Sequence, residues 1–123
     1  MKISEIIKTI NGKILQDEGN LDVDIKYAFA ADLMSDVLFV ISRPEEPVLL
    51  ITGVTNPSVV RTAAILDIPT ILIVRGKEVS EDTVRIAKEN KIIILHCDDT
   101  MFISCSLLNQ AGLRGAPWKK MKQ

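Results

Sequence analysis

The chain is poor in the residues that carry most protein chemistry. It has one His, two Cys, one Trp, one Tyr and three Phe. Catalysis that draws on several histidines is undersupplied, and a stacking platform for nucleobases has little to build on. Cys97 and Cys105 are too few for the disulfide framework of a small secreted domain. A charge excess is missing as well. The net charge of -1 leaves no basic footprint for nucleic acid or an anionic membrane. No apolar run approaches the ~18 residues of a membrane helix. Met1-Lys2-Ile3-Ser4-Glu5 is charged where a secretory leader would be apolar. The expectation is a cytoplasmic protein with reduced thiols and neither membrane nor nucleic acid as partner. There is no G-x-x-x-x-G-K-[ST] phosphate loop and no G-x-G-x-x-G turn.

What the chain does have is apolar patterning. An apolar fraction of 47% over 123 residues is enough for one ordinary globular domain without a metal or disulfide staple. Val48-Leu49-Leu50-Ile51, Ile71-Leu72-Ile73-Val74 and Ile92-Ile93-Ile94-Leu95 are unbroken apolar runs. Such runs read as strands covered on both faces. Helical spacing follows each. Asn56-Pro57 opens a stripe of Val59, Val60, Ala63, Ala64 and Leu66. Ser80 caps a segment with Val84 and Ala87 on one face. Asp98 or Asp99 caps a helix carrying Met101, Cys105 and Leu108, stopped by Gly112. Strand then helix, three times over, implies parallel pairing with helices on both sides of the sheet.

The first third reads differently. Ser4 caps a helix with Ile3, Ile6, Ile7 and Ile10 inward, and residues 13–16 form a short strand. Val23, Ile25, Tyr27 and Phe29 alternate with Asp24, Lys26 and Ala28, as in a half-exposed strand. Residues 31–40 read as a helix with Leu33, Met34, Val37 and Leu38 inward. Ser42-Arg43-Pro44-Glu45-Glu46-Pro47 is a stiff polar connector. Residues 1–115 are expected to form the domain and 116–123 a basic tail containing Lys119-Lys120-Met121-Lys122.

Ala31-Asp32-Leu33-Met34-Ser35-Asp36-Val37-Leu38 resembles the "SDLLSDVL" stretch of DRTGG-domain proteins. The strand ending in Thr52, the Asn56-to-Ala64 helix, the Ile-Leu-Ile-Val strand with Arg75-Gly76, and Val79-Ser80-Glu81-Asp82-Thr83 follow in the family's order. The resemblance covers roughly residues 1–115. It implies a three-layer α/β/α fold with a mostly parallel sheet, similar to the N-terminal domain of HPr kinase. It also implies a non-catalytic regulatory module, a homodimer, and in some stand-alone members an association with an iron-only hydrogenase or redox system. Where the family's name motif should fall, the chain reads Asp24-Ile25-Lys26-Tyr27-Ala28-Phe29, with Tyr27 and Ala28 replacing paired glycines. A side chain as large as Tyr27 would close any backbone approach that glycine leaves open.

Three constellations invite a function. Ligands of open parallel sheets bind beyond the strand carboxyl ends. Thr52, Gly53, Thr55, Asn56, Arg75 and Gly76 should gather there, suited to a nucleotide or small anion held by a helix N-terminus and an arginine. Ordinary turns and capping account for the same residues more readily. Tyr27 and Phe29 on one strand face, with Asp32 and Asp36 one helical turn apart, offer an interaction or dimer surface. His96, Cys97 and Cys105 are short of the four ligands a tetrahedral metal site takes, so no metal and no cofactor is expected. Two carboxylates before a helix, Asp98 and Asp99, fit capping. No nucleophile–base–orienter set can be assembled around one His, so the chain is not expected to be an enzyme.

Overall fold

The structure is a computed structural model that describes residues 1–41 and 44–117. Part of the polar connector (Ser42-Arg43) and the lysines of the basic tail lie outside the described residues. The elements are α1 (Ile3–Ile10), β1 (Lys13–Gln16), β2 (Tyr27–Ala30), α2 (Met34–Val40), β3 (Val48–Thr52), α3 (Ser58–Ile65), β4 (Thr70–Ile73), α4 (Glu81–Glu89), β5 (Ile93–His96), α5 (Met101–Gln110) and β6 (Arg114–Gly115). They form one sheet in the order β1-β5-β4-β3-β2-β6. All pairings are parallel except β1 with β5. No helix among the described residues is long and apolar enough to cross a membrane.

The unbroken apolar runs are explained by the pleat. Successive side chains leave a strand on opposite faces, and both faces here are covered. Leu49, Ile51, Leu72, Val74, Ile93 and Leu95 join Ile3, Ile6, Ile10 and Leu108 in the layer beneath α1 and α5. Val48, Leu50, Ile71, Ile73, Ile92 and Ile94 join Val37, Val59, Val60 and Ala63 beneath α2, α3 and α4. The three-layer α/β/α architecture expected from the sequence is therefore the one observed.

One buried group is left out of this arrangement. Thr70 opens β4 with no exposed surface, and its hydroxyl has no hydrogen-bond partner among the described residues. An unsatisfied buried hydroxyl costs about 1–3 kcal/mol. Thr70→Val, which keeps the shape, is expected to raise stability by about 1 kcal/mol and the melting temperature by roughly 4 °C. A calorimetric melt that stays level or falls would contradict this.

Several local expectations are corrected. The alternating segment 23–29 is not one half-exposed strand. Val23 and Ile25 are buried in the α1/α5 layer, whereas Tyr27 and Phe29 pack into the opposite one. The parity breaks because the N–H groups of Lys26 and Tyr27 both donate to the Pro47 carbonyl, at 2.9 and 3.4 Å. Two residues facing one is a bulge, and it turns the chain over between Ile25 and Tyr27. β2 then lies between β3 and β6, with Tyr27 and Phe29 half-buried against the layer beneath α2, α3 and α4.

The following helix starts at Met34 rather than Ala31 and buries Val37, while Leu33 and Leu38 stay exposed. Asp32 thus precedes the helix and does not share a helical face with Asp36. α1 starts at Ile3, with Glu5 accepting the Lys2 N–H, so Ser4 is inside the helix and not its cap. The Met1 amino group binds Asp24 Oδ1 at 2.6 Å and the Ile25 carbonyl at 2.8 Å. Thr100, not Asp98 or Asp99, caps α5 by accepting the Ile103 N–H. Ser80 caps α4 as expected.

Candidate functional site at the strand carboxyl edge

Four parallel strands end at one edge, and each contributes a loop. β2 leads to Asp32, β3 to Thr52-Gly53, β4 to Arg75-Gly76 and β5 to Cys97-Asp98-Asp99. The Asp32 carboxylate is the hub. Its Oδ1 accepts the Gly53 N–H at 2.7 Å and the Thr52 hydroxyl at 3.3 Å, and its Oδ2 lies 3.4 Å from Arg75 Nη1. The Gly53 N–H, helped by the Arg75 charge, holds the Asp32 carboxyl below the usual carboxylate range. The donors that would hold an exogenous anion here are already converged on an internal one.

The backbone locks this arrangement. Arg75 and Gly76 are both left-handed, with φ of 66° and 59°. That turn lets the Arg75 N–H donate to the Asp99 carbonyl at 2.8 Å and the Gly76 N–H to the Cys97 carbonyl at 2.9 Å. A Cβ on Gly76 would come within 2.9 Å of Asp98 Oδ1, and one on Gly53 would run into the Arg75 guanidinium. Thr55 and Asn56 turn away to local tasks. The Thr55 carbonyl accepts the Thr83 hydroxyl at 2.7 Å, and Asn56 Oδ1 accepts the Ser58 N–H at 3.0 Å at the start of α3. Of the six edge residues singled out from the sequence, four gather and two do not. Asp32, read from sequence as an interaction residue, belongs to the edge cluster, and Asp36 stays exposed on α2.

Open room lies next to this closed cluster. A depression of about 370 Å³ is lined by Lys13, Leu15, Gly76, Lys77, Val79, Val84 and His96, with Glu78 as its carboxylate. A second, of about 230 Å³, shares Lys13 and His96 and runs to Asp98. His96 Nε2 lies 2.9 Å from the Lys77 carbonyl. Neither Lys13 nor Lys77 has an ion-pair partner among the described residues. Sequence reading missed Lys13 because it opens a short antiparallel strand. Only the pairing of Lys13 with His96 brings it to the carboxyl end of β5.

The cysteines and histidine do not converge. His96 and Cys97 are neighbours on an extended chain and leave opposite faces of the sheet. Cys97 Sγ lies 3.3 Å from Ser104 Oγ inside the α1/α5 layer, and burial pushes both thiols up. Raised, apolar thiols are poor nucleophiles. Among the described residues no group of three His, Cys, Asp or Glu is placed to hold a metal ion.

A parallel sheet covered on both faces, with charged loops gathered at its carboxyl edge, defines an open three-layer α/β domain. Within that class the chain belongs to the DRTGG domain family, whose model matches residues 5–111. A solved structure with the same fold is the crystal structure of the CBS and DRTGG domains of the regulatory region of Clostridium perfringens pyrophosphatase, complexed with the activator diadenosine tetraphosphate. It aligns with a TM-score of 0.68 at 14% identity, covering 89% of this chain and 46% of the other. The chain therefore spans less than half of that one. No curated protein matches it in sequence.

Proposed function

We propose that the chain is a non-catalytic regulatory module of the cytoplasm that binds a phosphate-bearing small molecule at the strand carboxyl edge. The observation that carries this reading is the open depression bordered by Lys13 and Lys77, two cations without ion-pair partners among the described residues, against an apolar wall of Leu15, Val79 and Val84. Ammonium groups supply point charges for phosphate, and an apolar wall suits the flat face of a base. Arg75 lies next door but is held by Asp32, so it is a reserve donor rather than a free one. Membership of the DRTGG family supports a regulatory role, and a relative of the same fold sits in a nucleotide-activated regulatory region.

The test is a melting-temperature panel with pyrophosphate, ATP and diadenosine tetraphosphate. A ligand that binds only the folded state raises the transition by mass action. At least one should do so, and Lys13→Glu with Lys77→Glu should weaken that ligand by about tenfold or more, on the order of 1.4 kcal/mol. No shift with any of the three, or an undiminished shift in the double variant, rejects the site. The expected association with an iron-only hydrogenase or redox system is a separate matter. It would be supported by co-purification of hydrogenase components with the native protein and rejected by their absence.

A further inference from the structure

His96 is the chain's only histidine, and it stands half-buried on the wall shared by the two depressions of the carboxyl edge. One ring nitrogen is already committed. Nε2 lies 2.9 Å from the Lys77 carbonyl. A carbonyl oxygen only accepts, so Nε2 carries the proton of the neutral ring. Nδ1 then holds a lone pair and has no hydrogen-bond partner among the described residues. The next proton the ring takes therefore goes to Nδ1. At that atom a neutral ring offers a phosphate nothing, whereas an imidazolium offers a charged N–H donor.

Charges of both signs line the space around the ring. Lys13 is the cross-strand neighbour of His96, on the same face of the sheet. Lys77 and Glu78 come from the loop after β4, and Asp98 from the loop after β5. The lining that α4 supplies is the uncharged Val84. A phosphate drawn in by Lys13 and Lys77 adds negative charge beside the ring. We infer that phosphate binding loads a proton onto His96 Nδ1, so that the module holds its ligand more tightly as pH falls through the range in which imidazole titrates. This regulation rests on the phosphate reading of the site and supplies its control. The coupling is reciprocal: the ligand favours the proton by the same factor as the proton favours the ligand. A unit charge about 4 Å from the imidazolium changes affinity roughly fivefold in water-like surroundings, and more where water is excluded.

The test is calorimetric titration of pyrophosphate, ATP and diadenosine tetraphosphate into the whole chain at about pH 5.5 and about pH 8, the span over which histidine changes charge. His96→Gln is measured beside the wild type. Gln keeps an amide N–H for the Lys77 carbonyl but takes up no proton. Comparing the two proteins also cancels the titration of the ligand's own phosphates. The ratio of acid to alkaline affinity should be roughly fivefold or more larger in wild type than in His96→Gln. The Cε1 proton resonance of the single histidine, followed by NMR, should titrate at higher pH with ligand than without it. The same affinity ratio in both proteins, including an equal loss at both pH values in His96→Gln, overturns the inference and leaves the ligand site standing. So does a ring resonance whose titration ignores the bound ligand. Failure of all three compounds to bind overturns the site and its regulation together.

Discussion

Leu72→Ala is expected to lower the unfolding free energy by about 2–5 kcal/mol, a large share of the roughly 5–15 kcal/mol that holds an ordinary domain together. Leu72 has no exposed surface and lies in β4, a strand flanked on both sides. Its register partners Ile51 and Leu95 sit beside it on the same face. The α1/α5 layer closes over all three. The cavity left by three lost carbons is lined by strands that hydrogen-bond to both neighbours and have little freedom to collapse into it. Leu33→Ala is the control. Leu33 is 63% exposed before α2, and its loss should change stability by no more than about 0.5 kcal/mol. Urea titration separates the two, with the midpoint shifting for Leu72→Ala at an unchanged slope. A loss below 1 kcal/mol at Leu72 would mean that the two apolar layers are not packed as the strand register implies.

The same pleat explains how much could be read from the sequence. Runs such as Val48-Leu49-Leu50-Ile51 are apolar at every position because both faces are covered, and that alone specified the central parallel strands and the three layers. The Ser80 cap was also legible, whereas the Thr100 cap was not. What failed was non-local. The alternation from Val23 to Phe29 reads as a strand until the Pro47 carbonyl accepts two successive N–H groups, from a distant position in sequence. Asp32 reads as a helical residue because Asp36 follows at i+4. Its actual partners, Gly53 and Arg75, are supplied by two later strands. Lys13 lies far along the chain from Lys77, and only the antiparallel edge strand unites them. Element type followed local pattern, whereas the site depended on which loops the sheet order brings to one edge.

That dependence makes Asp32→Asn the most informative change at the site. Asn keeps an oxygen for the Gly53 N–H but removes the charge that holds Arg75. An anion approaching Arg75 then meets a free guanidinium instead of one held by a resident carboxylate. Two unit charges about 4 Å apart interact by about 1 kcal/mol in water and about 4 kcal/mol at the dielectric of a protein surface. Both Asp32 and Arg75 are well exposed, with side chains 47% and 38% accessible, so the lower end applies. Sulfate should therefore bind roughly tenfold tighter to Asp32→Asn, a change of about 1.4 kcal/mol. Sulfate is the right probe because it stays fully ionised through the range where carboxylates titrate. The folded-state pKa of Asp32 is lowered, so its carboxylate contributes stability above the ordinary carboxylate value and loses it as pH falls through the lowered one. In that same acid limb the wild-type protein should gain sulfate affinity as Asp32 becomes neutral, while the extra affinity of Asp32→Asn disappears. Adding Arg75→Ala to Asp32→Asn should cancel the gain if the guanidinium is what the carboxylate restrains. Equal sulfate affinity in wild type and Asp32→Asn at neutral pH, measured by calorimetric titration, would show instead that Arg75 and Gly53 form a turn with no capacity for an anion.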